Sequence, residues 1–194
     1  MKISLIIPAR FKSSRFPGKP LVKIHGKELI LHVLEKAENV FDKQNIYVAT
    51  DDNRIHDLVQ TNNFNSIMTS SSCLTGTDRV AEASMNIDSD IFINLQGDEP
   101  LVNPSDLKKA IQEKIKYPQC VINSYTEIGS NENIDDINIP KVVINEKNEL
   151  IYISRKTLPA RKDLLKEEPR YKKQVCIYAI SPNELNLFYK YGKK

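Results

Sequence analysis

The chain is poor in the residues that usually announce a special environment. It has only three cysteines, Cys73, Cys120 and Cys176, odd in number and far apart, with no metal-ligand spacing. That excludes a disulfide framework and a zinc knuckle, and points to a reducing compartment, the cytoplasm. The three histidines, His25, His32 and His56, are equally scattered. No apolar run approaches membrane-spanning length, and Ile3–Ile7, interrupted by Ser4, is too short for a secretion signal. Charge of one sign is also lacking: 28 Lys and Arg against 25 Asp and Glu leave a net charge of +3. With no aromatic-rich basic strand, that balance makes no case for nucleic acid. There is no internal repeat, low-complexity tract or linker. The 194 residues, 40% hydrophobic, are enough for one well-buried core, and the expectation is a single domain over 1–194.

What is present is an alternation. Short β-branched runs at Ile3–Ile7, Ile46–Thr50, Ser66–Met68 and Ile91–Leu95 predict strands. Between them, Ile30, Val33, Leu34, Ala37 and Val40 recur at helical spacing, as do Ile55, Leu58 and Val59. Asn103-Pro104 reads as a helix start, followed by Leu107, Ala110 and Ile111 on one face. Strand–helix–strand in series predicts right-handed crossovers and a mostly parallel sheet, an α/β sandwich with Rossmann-like winding. After residue 115 the pattern becomes β-rich: Val121–Thr126, Lys141–Ile144, Leu150–Ile153 and Val175–Ile180, with a turn at Asn145–Glu149. A last helix is expected over Pro182–Tyr191.

Three motifs carry chemistry. The stretch PARFKSSRFPGKPL, Pro8 to Leu21, follows the first strand and places Arg10, Lys12, Arg15 and Lys19 within ten residues. A loop at the carboxyl end of a parallel strand is where open α/β sheets place ligands. Cations together with free backbone N–H groups there suit a polyphosphate. It is not a Walker A loop, since Gly18-Lys19 is followed by proline. The second motif is Gln96-Gly97-Asp98-Glu99-Pro100, a carboxylate pair at the end of the Ile91–Leu95 strand. A strand-end acid beside a phosphate loop suits Mg²⁺, which shares one or two carboxylates with phosphate oxygens and water. The third, LTGTDRVAEA, starts a helix that Thr77 can cap, with Arg79 in its first turn. A cation-rich stretch, Arg155 to Lys173, holds eight cations against three acids. It reads either as a solvated loop or as a rim over an acidic substrate.

Together these motifs resemble the CMP-sugar synthetases, and within them the branch that activates 3-deoxy-manno-octulosonate (Kdo). The resemblance extends to Val48-Ala49-Thr50-Asp51, Gly76-Thr77-Asp78-Arg79, Lys141-Val142-Val143 and Tyr152-Ile153-Ser154-Arg155, in the family's order over nearly the whole chain. It implies a Mg²⁺-dependent cytidylyltransferase: CTP plus an acidic keto-sugar gives CMP-sugar and pyrophosphate. Arg10, Arg15 and Lys19 would hold the triphosphate. The backbone near Ala9, with Arg79 and Ser72 or Thr75, would read the cytosine. Asp98 would bind the metal, Gln96 would orient ribose or sugar, and Arg155 would face the sugar carboxylate. Tyr178 and Gln174 would complete the sugar side.

Two features depart from the family pattern. Gln174 stands where the family carries a histidine, in a strand where Cys176, Ala179 and Ile180 replace two glycines and a tyrosine. The segment carrying a second magnesium carboxylate, expected beyond residue 194, is missing from the pattern. Activation of another acidic sugar, such as an amino-Kdo or a nonulosonate, therefore stays open, as does a non-catalytic nucleotide-binding module. The resemblance further implies a homodimer formed through a sugar-binding, β-rich extension over 141–180.

Overall fold

The computed structural model describes residues 1–12, 16–160 and 170–191. In chain order the elements are β1 (Ile3–Ala9), a one-turn 3₁₀ helix (Lys19–Leu21), β2 (Lys23–Ile24), β3 (Lys27–Glu28) and α1 (Leu29–Ala37). A second 3₁₀ turn (Lys43–Asn45) leads to β4 (Ile46–Thr50), α2 (Asn53–Thr61), β5 (Asn65–Met68), α3 (Gly76–Ser84), β6 (Ile91–Leu95) and α4 (Pro104–Lys116). Then come β7 (Ile122–Glu127), β8 (Lys141–Ile144), β9 (Leu150–Ser154), β10 (Lys172–Ile180) and α5 (Pro182–Tyr191). No described helix is long and apolar enough to cross a membrane.

Two compact units emerge, Met1–Ile122 with Ile177–Lys194, and Asn123–Cys176. The β-rich extension expected over 141–180 overlaps the second, and Ile177–Ile180 belongs to the first.

In the first unit, β5, β4, β1 and β6 lie side by side in that order, all parallel. Ile177–Ile180 of β10 pairs antiparallel with β6, so the sheet is mixed around a parallel centre. Leu5, Ile6 and Ile7 are all fully buried, as an uninterrupted apolar run must be when helices cover both faces of a sheet. On one face Ile6, Ala49 and Phe92 pack with Val80, Ala81 and Ala83 of α3 and Leu185 of α5. On the other, Ile7 and Ile30 of α1 close over Gly97.

The strands run 1-4-5 outward on one side, and the chain then returns to lay β6 against the opposite edge of β1. The winding therefore reverses between β1 and β6, and a crevice opens beyond their carboxyl ends. The loops Arg10–Leu21 and Gln96–Pro100 both leave from there.

The observed strands match the periodicity to within a few residues. The exception is the β2–β3 hairpin, which the periodicity does not predict. Its turn, His25-Gly26, has φ of 51° and 82°, the double positive φ of a tight two-residue hairpin turn. A second correction concerns α3. Thr75, not Thr77, is its N-cap: Thr75 Oγ1 accepts from Asp78 N at 3.2 Å, while Thr75 N donates to Asp78 Oδ2 at 2.7 Å. His32 Nε2 lies 2.9 Å from the Ile24 carbonyl oxygen, tying α1 to the hairpin.

In the second unit, β8 pairs antiparallel with β9 and with the start of β10, which β7 also joins. The turn expected at Asn145–Glu149 is present, closed by Asn145 N to Glu149 O at 3.0 Å. Lys141 is buried and donates to the Asp136 carbonyl at 2.6 Å and to that of Arg155 at 3.3 Å.

Candidate active site

The crevice between β1 and β6 is a cleft of about 510 Å³ lined by Pro8, Ala9, Arg10, Phe16, Lys19, Pro20, Gln96, Gly97 and Asp98. A volume of that size holds a nucleotide-sized ligand. A smaller pocket of about 130 Å³ shares Pro8, Ala9, Arg10 and Gln96 with it and adds Cys73, Thr75, Gly76 and Arg79. Residues from three distant stretches meet here because β1, β6 and the start of α3 converge on one sheet edge.

Glycines make that convergence feasible. A Cβ on Gly97 would stand 3.1 Å from the Pro8 carbonyl oxygen, and one on Gly76 would stand 3.3 Å from both Gln96 Nε2 and Pro8 Cγ. Side chains at either position would push the motifs apart. Gly18 matters for its backbone instead. It adopts φ 72°, and its amide donates to the Phe11 carbonyl at 2.8 Å, joining the two ends of the basic loop.

Lys19 and Asp98 face each other across the cleft, Nζ to Oδ2 2.5 Å, both side chains about half exposed. One cation and one anion, 79 residues apart in sequence, thus neutralise each other at the mouth. Among the described residues no three His, Cys, Asp or Glu side chains cluster as a protein-only metal cage. Asp98 does fit a magnesium ion that takes its other ligands from water and phosphate, as Mg²⁺ commonly does.

Arg79 is 2% exposed, so it forms a wall of the smaller pocket from beneath. Its Nη1 donates to Thr69 Oγ1, and its Nη2 lies 3.3 Å from Asp51 Oδ2. The other oxygen of Asp51 is buried with no hydrogen-bond partner. The Cys73 thiol donates to Glu82 Oε2 at 3.2 Å; burial and that carboxylate push its pKa up to about 11. A thiol so raised lines the pocket largely in its neutral form near neutral pH.

Of the residues singled out from sequence, Ala9, Arg10, Lys19, Gln96 and Asp98 line the cleft, and Thr75 and Arg79 line the adjoining pocket. Ser72 does not line either; it is exposed, and its hydroxyl pairs with that of Ser70 at 2.7 Å. Arg15 lies outside the described residues, as do Arg161, Lys162 and Lys166 of the basic stretch. Tyr178, in the first unit, packs part-buried against the Phe92 cluster and sits in register with Asn94. In the second unit, Arg155 Nη1 donates to the Ile137 carbonyl at 2.8 Å, and the backbone N–H of Gln174 donates to the Pro140 carbonyl at 3.0 Å. Lys173 pairs with Glu132 there, holding that carboxyl below the usual range, with help from the Gly129 amide. Two residues escape sequence reasoning: Asp51, behind the pocket wall as the partner of Arg79, closes the Val48–Asp51 motif with no local sign of that role, and Cys73, which lines the smaller pocket, carries no local signal at all.

A mixed sheet with a parallel centre, and a cationic loop and a strand-end acid meeting in a cleft at its winding reversal, define an α/β protein with a charged cleft. The family model described as cytidylyltransferase matches residues 4–192. The 3-deoxy-manno-octulosonate cytidylyltransferase of Alteromonas mediterranea is 39% identical, over 99% of this chain and 81% of its own. The 8-amino-3,8-dideoxy-manno-octulosonate cytidylyltransferase of Shewanella frigidimarina is 38% identical, over 98% and 79%. The solved structure of a CMP:2-keto-3-deoxy-manno-octonic acid synthetase complexed with CTP superposes with a TM-score of 0.88 at 38% identity, covering 98% of this chain and 78% of that one. The chain belongs to the cytidylyltransferase family, as a nucleotidyltransferase of the CMP-Kdo synthetase kind.

Proposed function

We propose that the chain transfers CMP from CTP to Kdo, releasing pyrophosphate, with Mg²⁺ as cofactor. The observation that carries this is the meeting of Arg10, Lys19 and Asp98 around one cleft at the winding reversal. In the reaction, the anomeric hydroxyl oxygen of the sugar forms a bond to the α-phosphorus, and the bond from that phosphorus to the pyrophosphate oxygen breaks. The hydroxyl proton leaves to solvent. Arg10 and Lys19 bear on the triphosphate and neutralise the charge that grows on the departing pyrophosphate, with Arg15 assigned the same role. Asp98, paired with Lys19 in the absence of nucleotide, would hold Mg²⁺, which when bound would withdraw charge from the phosphates. The smaller pocket takes the cytosine: the Ala9 backbone, Thr75 and the buried Arg79 present polar edges to it, and Ser72 lies just outside. Gln96, shared by both pockets, spans the join between base and sugar.

Arg155, Gln174 and Tyr178 are assigned to the sugar. The amino sugar 8-amino-Kdo is the second substrate reading, supported by relatives of that activity at nearly equal identity. We also assign the enzyme to the cytoplasm and to a homodimer formed through the second unit, whose Leu150, Ile151 and Tyr152 are exposed. Sedimentation velocity checks the dimer; a monomer at micromolar concentration would remove it.

The deciding experiment is pyrophosphate release from CTP and Mg²⁺ with Kdo, 8-amino-Kdo, N-acetylneuraminate or no sugar. Kdo-dependent release is expected. Release with the amino sugar alone moves the assignment to the second reading. CTP binding without release under any sugar would make the chain a nucleotide-binding module, and the transferase reading would fall.

A further inference from the structure

The basic loop is also held from outside the cleft. Phe11 stands at its first foot and Gly18 at its second, joined by the Gly18 amide to Phe11 carbonyl bond. The Phe11 ring packs so tightly on Gly18 that a Cβ there would be 2.9 Å from the ring. Arg54, from the first turn of α2, lies over the same ring with its guanidinium carbon 3.5 Å from the centroid. Arg54 is itself clamped by Asp52, with Nε to Oδ1 at 2.9 Å and Nη2 to Oδ2 at 2.7 Å. Asp52 is the N-cap of α2 and accepts the Arg54 amide at 3.0 Å. The guanidinium is thus fixed by a two-point carboxylate contact and laid flat against an aromatic ring, a combination lysine cannot reproduce.

Arg54 lines neither pocket, and its side chain is 60% exposed, where an ion pair adds little to global stability. Its geometry is spent on Phe11 instead. We infer that Arg54 is a positioning residue: acting through Phe11, it holds the feet of the loop that presents Arg10 and Lys19 to the triphosphate. This rests on the reading of that loop as the triphosphate site. Feet fixed before the ligand arrives lose less freedom on binding, so the effect falls on affinity and not on the chemical step.

The test pairs two readouts on the full chain. Arg54→Ala and Phe11→Leu should each speed hydrogen exchange at the Gly18 amide. Each should also raise the CTP dissociation constant about two- to five-fold, the span of an exposed cation–π contact, with kcat held within about a factor of two. Arg54→Lys, which keeps the cation but loses the fork to Asp52, should recover part of the affinity. The double variant should bind CTP no more weakly than Phe11→Leu alone. Additive losses in the double variant, or losses of kcat matching those of affinity with a lowered Tm, would overturn the inference. So would unchanged Gly18 exchange in Arg54→Ala. If the parent chain bound no CTP, the proposed function would fail, while the exchange experiment would still decide whether Arg54 holds the loop.

Discussion

At the cleft mouth Lys19 and Asp98 each satisfy the charge that the other would otherwise present to water, so each is removable without unfolding the chain. Asp98→Asn should cut Mg²⁺-dependent pyrophosphate release by about 100-fold or more, with Tm nearly unchanged; wild-type turnover would remove Asp98 from the metal site. Lys19→Ala should weaken CTP binding by about tenfold while CMP binding changes little. Equal losses for the two nucleotides in calorimetry would show that Lys19 does not reach the outer phosphates. Cys73 adds a pH dependence. With its thiol pushed up to about 11, the thiolate is scarce at pH 8. Alkylation there should be far slower than at exposed Cys120 and should accelerate as pH rises toward 11. Lys19 and Asp98 were legible because each sits in a local motif of charge and turn residues. Cys73 was not, since its environment is made by Glu82 on the next helix.

Among elements, α3 and the strand-end turns show how small groups govern position. Thr75→Ala removes the capping box and should cost about 1 kcal/mol, read as a shifted urea midpoint. The sequence offers two threonines at this start, and periodicity cannot choose between them. Thr75 wins because the turn brings its hydroxyl and amide onto Asp78. The β2–β3 hairpin was invisible for a related reason: two-residue strands carry too little pattern, and only the positive φ of His25 and Gly26 reveals the turn. The β-branched runs of β1 and β6 were legible, because a strand buried on both faces is apolar at nearly every position, with only Ser4 and Asn94 as polar members.

At the scale of the whole first unit, its last helix is tied in by a buried ion pair. Lys114 of α4, 1% exposed, donates to the Pro118 carbonyl at 3.1 Å, to that of Cys120 at 2.8 Å and to Glu184 Oε2 at 2.7 Å. Burial works against the ionised Glu184, but hydrogen bonds from Lys114 and the Ser181 amide outweigh it and hold its pKa below the ordinary value. Such a depressed carboxyl contributes its stability above the unfolded pKa, near 4.5, and loses it as pH falls through the lower folded value. Glu184→Gln should therefore flatten the acid limb of urea stability between about pH 5 and 3; an unchanged limb would exclude the pair as its source. Lys114→Met should cost about 2 kcal/mol by leaving two carbonyls unpaired.

The sequence by itself determined what is local: a buried β1, the proline-stiffened cationic loop that follows it, an acid at the end of β6, and helices with one apolar face. These depend on residue chemistry within a turn or two. Tertiary structure decided which of them meet. The order β5-β4-β1-β6 puts Lys19 against Asp98. It sinks Arg79 onto Asp51 and Thr69, and lays Arg54 over Phe11. Those contacts follow from crossover handedness and strand register, which are set by packing between segments far apart in the chain.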